Sequence, residues 1–255
     1  MKNLFSVVWW PHSGGRWLTR SLCKEHSKVF TTTYVHPWLF NSTDKMLQLD
    51  LTSQVHKARS LPELNKNLHA LKSSTDLGRL EGIKEYFRII KSNYITDRDE
   101  RTHIVGEICL GSPEPKPLDI SLLFQAQPDM KIIHLVRNPI DSYNSFHSRG
   151  EMDGDPIKIA GSWLTLNANI SNFFTQNEQF KNQYLLIKYE DLISNTEKEL
   201  KKICQFMDLE YEKNIIKNIE ERWGKNTQKK TSPEISKIIL NIAKYELTTY
   251  GYING

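Results

Sequence analysis

Val7-Val8-Trp9-Trp10-Pro11-His12-Ser13-Gly14-Gly15-Arg16-Trp17-Leu18 carries the pattern that decides the fold: an unbroken apolar run, a short loop of small and cationic residues, then the start of a helix. A run apolar on both faces belongs to a strand covered on both sides. A glycine-containing turn into a helix presents backbone N–H groups, and the positive end of the helix dipole, to an anion. Lys131-Ile132-Ile133-His134-Leu135-Val136-Arg137-Asn138-Pro139-Ile140-Asp141-Ser142 repeats the pattern. There Pro139 suits a first helical turn, and Asp141 lies early enough to favour the positive end of the helix. Two such loops in one chain predict a ligand with two phosphate-like groups.

Outward from these segments, Leu4 to Trp10 reads as a strand, Arg16 to Lys24 as the helix after it, and Val29 to Val35 as a second strand ending at His36-Pro37. From Asn41 to about Lys91 the pattern is mainly helical, with Leu61, Leu64, Leu68 and Leu71 spaced for one helix face. His103 to Cys109 is a third strand, stopped by Gly111 and the Pro113-Glu114-Pro115-Lys116-Pro117 stretch. A helix from Leu118 to Gln127 leads to the strand ending at Val136. Tyr184 to Tyr189 is a further strand, Thr196 to Met207 an amphipathic helix, and Ser232 the cap of a last helix. This alternation predicts an α/β fold, a central parallel β-sheet flanked by helices, in a single domain spanning 1–255.

Composition narrows the function. The chain has 255 residues, 38% hydrophobic and 25% charged, enough for one well-packed core. A formal charge of +4 is too small to argue for wrapping a nucleic acid backbone, so anion specificity must be local. Cys23, Cys109 and Cys204 are far apart and lack C-x-x-C spacing; they read as reduced thiols, with neither a disulfide framework nor a metal site indicated. No apolar run approaches the roughly 18 residues that a bilayer requires, so a soluble, cytoplasmic protein without a membrane partner is the expectation.

Taken together, Pro-His-Ser-Gly-Gly-Arg-Trp-Leu at 11–18, Lys-Ile-Ile-His-Leu-Val-Arg-Asn-Pro-Ile-Asp-Ser at 131–142 and Leu-Leu-Ile-Lys-Tyr-Glu-Asp-Leu at 185–192 resemble, in order and spacing, the sulfotransferases that use 3′-phosphoadenosine 5′-phosphosulfate (PAPS). The resemblance implies that His12, Ser13, Gly14, Gly15, Arg16 and Trp17 surround the 5′-phosphosulfate, with Trp17 able to reach the adenine. It implies further that Arg137 and Ser145 hold the 3′-phosphate and that Tyr189 contacts the adenine. The resemblance also implies Arg222 and Lys225, in a late basic stretch, as second contacts to that phosphate, while from residue type alone the stretch reads as a solvated charge run. Gly14 and Gly15 suit a close backbone approach, and the Arg137 guanidinium offers a fork of donors matched to a phosphate. Trp17 and Tyr189 also read, from residue type alone, as core aromatics. The expected product is 3′,5′-adenosine diphosphate (PAP), and no metal is called for.

The first loop departs from the resemblance. The family usually carries Lys or Arg where His12 stands, and hydroxyl residues where Gly15 and Arg16 stand. Charge develops on the leaving oxygen during sulfuryl transfer, so His12 and Arg16 together read as the leaving-group clamp. A base for the acceptor has three candidates, His36, Glu107 and His103, each of which also has an ordinary structural reading. The implied acceptor is a small molecule such as a metabolite or natural product, bearing a hydroxyl or amine, with the helical stretch 41–100 covering its side of the site. The acidic stretch Gly150 to Pro156 reads as a solvated turn; lining the entrance, it would favour a cationic acceptor. Two rival classes stand beside this reading. A P-loop kinase needs Gly-x-x-x-x-Gly-Lys-Ser/Thr, which is absent, and a non-catalytic nucleotide-binding protein of the same fold would share the loops without turnover.

Overall fold

A computed structural model describes residues 3–32, 80, 81, 84, 103–109, 120–149, 154–216 and 231–254. Its frame is a sheet of β1 (Asn3–Trp9), β2 (Val29–Thr32), β3 (His103–Cys109), β4 (Lys131–Val136) and β5 (Tyr184–Lys188), in the order β2-β3-β1-β4-β5 with every neighbouring pair parallel. Parallel strands need crossovers, and helices supply them on both faces.

The alternation along the two central strands decides which helix goes where. Phe5, Val7 and Trp9 of β1, with Ile133 and Leu135 of β4, pack against α1 (Gly15–Glu25), α5 (Tyr189–Ser194) and α6 (Thr196–Phe206) through Leu18, Leu22, Leu192, Leu200 and Ile203. On the other face, Val8, Ile132 and Val136 meet α2 (Ile120–Ala126), α3 (Pro139–Arg149), α4 (Pro156–Gln176) and α7 (Pro233–Thr249). Every residue from Phe5 to Trp10 is buried, as expected of a strand covered on both sides. Cys204 of α6 is a buried free thiol, pushed up to about 11 by that burial.

Sequence expectations for these elements hold to within a residue or two, with three differences. Tyr189 opens α5 instead of ending β5, because the chain turns into a helix at the sheet's carboxyl edge. The acidic stretch includes a helix start: the Asp155 carboxylate accepts from the backbone N–H groups of Ile157 and Lys158, and Pro156 takes the first helical position. Asp155 is therefore a cap within a folded element, not part of a solvated turn. The helix it starts, α4, was not predicted at all. Residues 33–35 and most of the helical stretch 41–100 lie outside the described residues, although Leu80, Glu81 and Lys84 are helical.

Candidate active site

In a parallel sheet the loops after the strands share one edge, so the turns following β1 and β4 are neighbours. The β1 turn is shaped by two left-handed residues, His12 at φ 63 and Gly14 at φ 85. Gly14 is the N-cap of α1, and its carbonyl accepts from the N–H groups of Trp17 and Leu18. A side chain at Gly14 would sit 2.7 Å from the Tyr189 ring, and one at Gly15 only 1.9 Å from the Trp9 indole. Gly15 thus answers to packing against a buried strand residue, whereas the sequence reading assigned it to a ligand's approach. A non-glycine residue such as His12 in the left-handed region carries a cost of about 1 kcal/mol or more, which the surrounding contacts must offset.

Those contacts come from the second loop. Arg137, only 8% exposed, donates from Nη1 to the His12 carbonyl oxygen at 2.6 Å, and its Cζ lies 4.3 Å from the centroid of the Tyr189 ring. Ser145 Oγ of α3 stands 3.0 Å from His12 Nδ1, and the His12 ring packs edge-on to Phe146 with centroids 4.2 Å apart. The structure therefore brings His12, Gly14, Arg137, Ser145 and Tyr189 into one cluster. Ser13 Oγ and Arg137 Nε are buried and have no hydrogen-bond partner among the described residues. A buried, unpartnered donor on a guanidinium is costly unless an acceptor fills it, and a hydroxyl beside a helix N-terminus is disposed toward the same kind of group. Each of the two suits an oxyanion acceptor. Tyr189 keeps its proton, since burial raises the phenol more than Arg137 lowers it.

The remaining predicted residues are placed as follows. Arg16 lies in the first turn of α1, but its side chain is outside what the structure describes. Trp17 is half-buried and packs on the α1 side of the core. His103 pairs with Asn3 at the start of β1, six strand residues before Trp9 and so about 20 Å from the loop edge; the structure does not bring it to the cluster. His103 is read from the sequence as the start of this strand, and in a parallel sheet the start of a strand lies at the edge opposite the loops that follow β1 and β4. Glu107 pairs with Val7, toward the carboxyl edge. His36, Arg222 and Lys225 lie outside the described residues.

The sequence reading missed what holds the two loops together. Trp10, at the end of the first strand run, donates from Nε1 to Ser162 Oγ at 3.0 Å, and the next residue of α4, Trp163, donates from Nε1 to the Arg137 carbonyl at 3.0 Å. Below them His134 is wholly buried, with Nδ1 2.9 Å from Tyr184 Oη and Nε2 2.8 Å from Asn167 Oδ1. Asn167 in turn donates from Nδ2 to the Trp163 carbonyl. Burial depresses the His134 imidazole to about 4, so it is neutral and accepts from one neighbour while donating to the other.

The family model described as "Sulfotransferase family" matches residues 7–213. The chain belongs to the sulfotransferase family. The match spans both loops and runs through β5, α5 and α6. Among solved structures, a sulfotransferase domain from the Synechococcus PCC 7002 olefin synthase aligns with 100% of this chain and 98% of its own length, at 17% identity and a TM-score of 0.58. A sulfotransferase from Alicyclobacillus acidocaldarius covers 97% of this chain and 94% of its own, at 14% identity and 0.58. A sulfotransferase domain from the curacin biosynthetic pathway covers 86% and 78%, at 20% identity and 0.54. At these identities the likeness is one of fold. No curated protein sequence matches the chain.

Proposed function

We propose that this sulfotransferase uses PAPS as donor and transfers its sulfuryl group to a hydroxyl or amine of a small-molecule acceptor. The observation that carries the reading is the convergence of Arg137 and Ser145 on His12 at the N-terminus of α1, with Ser13 Oγ and Arg137 Nε left without partners. Two oxyanion sites meeting at one residue suit a nucleotide phosphorylated at both its 3′ and 5′ ends. PAPS, bound there, supplies an activated sulfuryl group whose bond to the 5′-phosphate breaks as the acceptor's bond to sulfur forms and the acceptor's proton departs.

The chain's residues then have distinct tasks. Arg137 offers its guanidinium edge to the 3′-phosphate, and the start of α1 offers N–H groups and dipole to the 5′ side. Ser145 Oγ lies 3.0 Å from His12 Nδ1, and in the tautomer that accepts from Ser145 the His12 ring carries its proton on Nε2. That N–H is a donor for the leaving oxygen, without requiring an imidazolium. Arg16, in the first helical turn, adds permanent positive charge. Glu107 and His36 are the proposed bases; His103, at the far edge of the sheet, is set aside.

Calorimetric titration with PAP tests the reading. Binding at micromolar or lower concentration, lost in Arg137→Ala and not matched by 5′-AMP or ATP, is the expected result and justifies an acceptor screen. No binding would overturn it. Tight binding with no turnover across a broad acceptor panel would favour a nucleotide-binding role without catalysis.

A further inference from the structure

Where β4 leaves the sheet, side chains from different parts of the fold meet the backbone of three consecutive residues, the last of the strand and the two that follow it. The Arg137 carbonyl accepts from Trp163 Nε1 at 3.0 Å, the Asn138 N–H donates to Glu190 Oε1 at 2.9 Å, and Tyr252 Oη, whose one proton goes to Glu190, lies 3.3 Å from the Val136 carbonyl. Asn138 in turn caps α3, its Oδ1 accepting from the Ile140 N–H at 2.9 Å.

Two of these three side chains are themselves joined. Glu190 Oε2 accepts from Tyr252 Oη at 2.7 Å, so one carboxylate grips the loop with one oxygen and the C-terminal turn with the other. Tyr252 is held in register by Lys188, whose Nζ lies 5.1 Å from the Tyr252 ring centroid and 3.4 Å from the Tyr250 carbonyl. Burial, with Glu190 beside it, raises the Tyr252 phenol, so it stays a donor throughout the working pH range.

We infer that Glu190 and Tyr252 form a clasp that aims the Arg137 guanidinium, and that they are positioning residues for recognition of the donor's 3′-phosphate although neither belongs to the loops that meet the ligand. The argument is geometric. Arg137 reaches His12 and overlies Tyr189, and Tyr189 is the immediate neighbour of Glu190. The clasp therefore fixes the backbone of Arg137 and the ring beneath its guanidinium from the same point. An oriented fork of donors binds a phosphate better than a wandering one, because less rotamer freedom is lost on binding.

The inference rests on the reading of Arg137 as the 3′-phosphate contact, and the experiment separates the two. Dissociation constants for PAP and for 5′-AMP, which lacks the 3′-phosphate, are measured for wild type, Tyr252→Phe, Glu190→Gln, Tyr250→Phe and Arg137→Ala, and for Tyr252→Phe combined with Arg137→Ala. Tyr250→Phe is the structural comparison, since it removes a buried phenol that donates to the Asn167 carbonyl, away from the clasp. Circular dichroism and thermal melts establish that each variant folds.

Tyr252→Phe is expected to weaken PAP binding about tenfold and 5′-AMP binding less than about twofold, with Glu190→Gln in the same direction. Tyr250→Phe lowers the melting temperature and leaves the preference for PAP intact. In the Arg137→Ala background Tyr252→Phe costs nothing further, since the two act through one group. An unchanged preference in Tyr252→Phe, an equal loss for both nucleotides, or additivity with Arg137→Ala would each overturn the clasp. A wild-type protein that binds the two nucleotides equally would overturn the donor-site reading and the clasp with it.

Discussion

Replacing Gly15 by Ala sets two effects of opposite sign against each other, and the structure decides between them. In a helix, Gly→Ala ordinarily stabilises by up to about 1 kcal/mol, through backbone entropy and propensity. At Gly15 the new Cβ would stand 1.9 Å from Trp9 Cδ2, 2.2 Å from Cε3 and 2.4 Å from Cγ. Carbon–carbon contact begins at about 3.5 Å, so either the ring or the start of α1 must move by roughly 1.5 Å. These are atoms near the stem of an indole only 3% exposed, packed in the α1-side core, which cannot swing aside. Overpacking of this kind costs about 1–3 kcal/mol, and the size of the overlap places it at the upper end. The net expectation is a loss of about 1–2 kcal/mol, a melting temperature lower by about 3–6 °C, and weakened PAP binding because the N-terminus of α1 is displaced. Urea unfolding and calorimetry read both. With Trp9→Leu in the background the penalty should shrink, which a double-mutant cycle detects. A Gly15→Ala protein more stable than wild type would show that the turn is not seated on Trp9.

Three further outcomes are expected. His134 has a folded value of about 4 against an ordinary 6.5, so the unfolded chain binds its proton more tightly. Its contribution is therefore complete above pH 6.5 and declines by about 3 kcal/mol as the pH falls to 4; urea midpoints that fall as steeply with pH in His134→Gln as in wild type would refute this. Asp155→Ala removes the cap of α4 and should cost about 1 kcal/mol in urea unfolding, whereas no change would mean that Pro156 alone starts the helix. His12→Ala should lower turnover about 100-fold with an acceptor found by screening, and PAP affinity much less; a loss of only a few-fold would take His12 out of the leaving-group role.

The legible parts of the fold were those where a single periodicity dominates. β1 and β4 announce themselves because both faces are buried: Val7 to Trp10 is wholly apolar, and in Ile132 to Val136 only His134 interrupts the run. β3 was read with its observed limits and with His103 at its start, but strand order alone did not show that this start lies at the edge opposite the β1 and β4 loops. α4 went unread for a specific reason. Its apolar spacing, Ile159, Trp163, Leu166, Ile170 and Phe174, is interrupted on the buried face by Ser162 and Asn167. Those two residues look like surface in a sequence. In the fold they are the partners of Trp10 and His134, so the interruption of the pattern is the trace of the buried hydrogen bonds. Asp155-Pro156 was the available start signal. The site residues followed a similar division: Arg137, Ser145 and His12 came from motif and spacing, whereas Trp163 and Glu190, the latter joined to Tyr252, hold backbone groups of a loop whose need for partners arises only once β4 has left the sheet.

These second-tier contacts bear on why the two loops behave as one site. Ser162 and Trp163 are adjacent on α4, yet one holds the end of the first strand run and the other holds the end of the second. The loops are thus bolted to a common rigid helix at their bases, and Arg137 and Ser145 join them again at His12. A loop anchored only at its own strand could adjust its distance to the other and accept ligands of different lengths. Loops tied at base and tip cannot do so without breaking buried hydrogen bonds, each worth about 1 kcal/mol and costlier still if a donor is left unpaired. On the proposed donor-site reading, the spacing between the two anion sites would be a property of the fold, and selection between nucleotides that carry one phosphate group and those that carry two would follow from rigidity more than from the number of charges. A substitution in either loop should then be felt at the other, through His12, before it is felt anywhere else in the molecule.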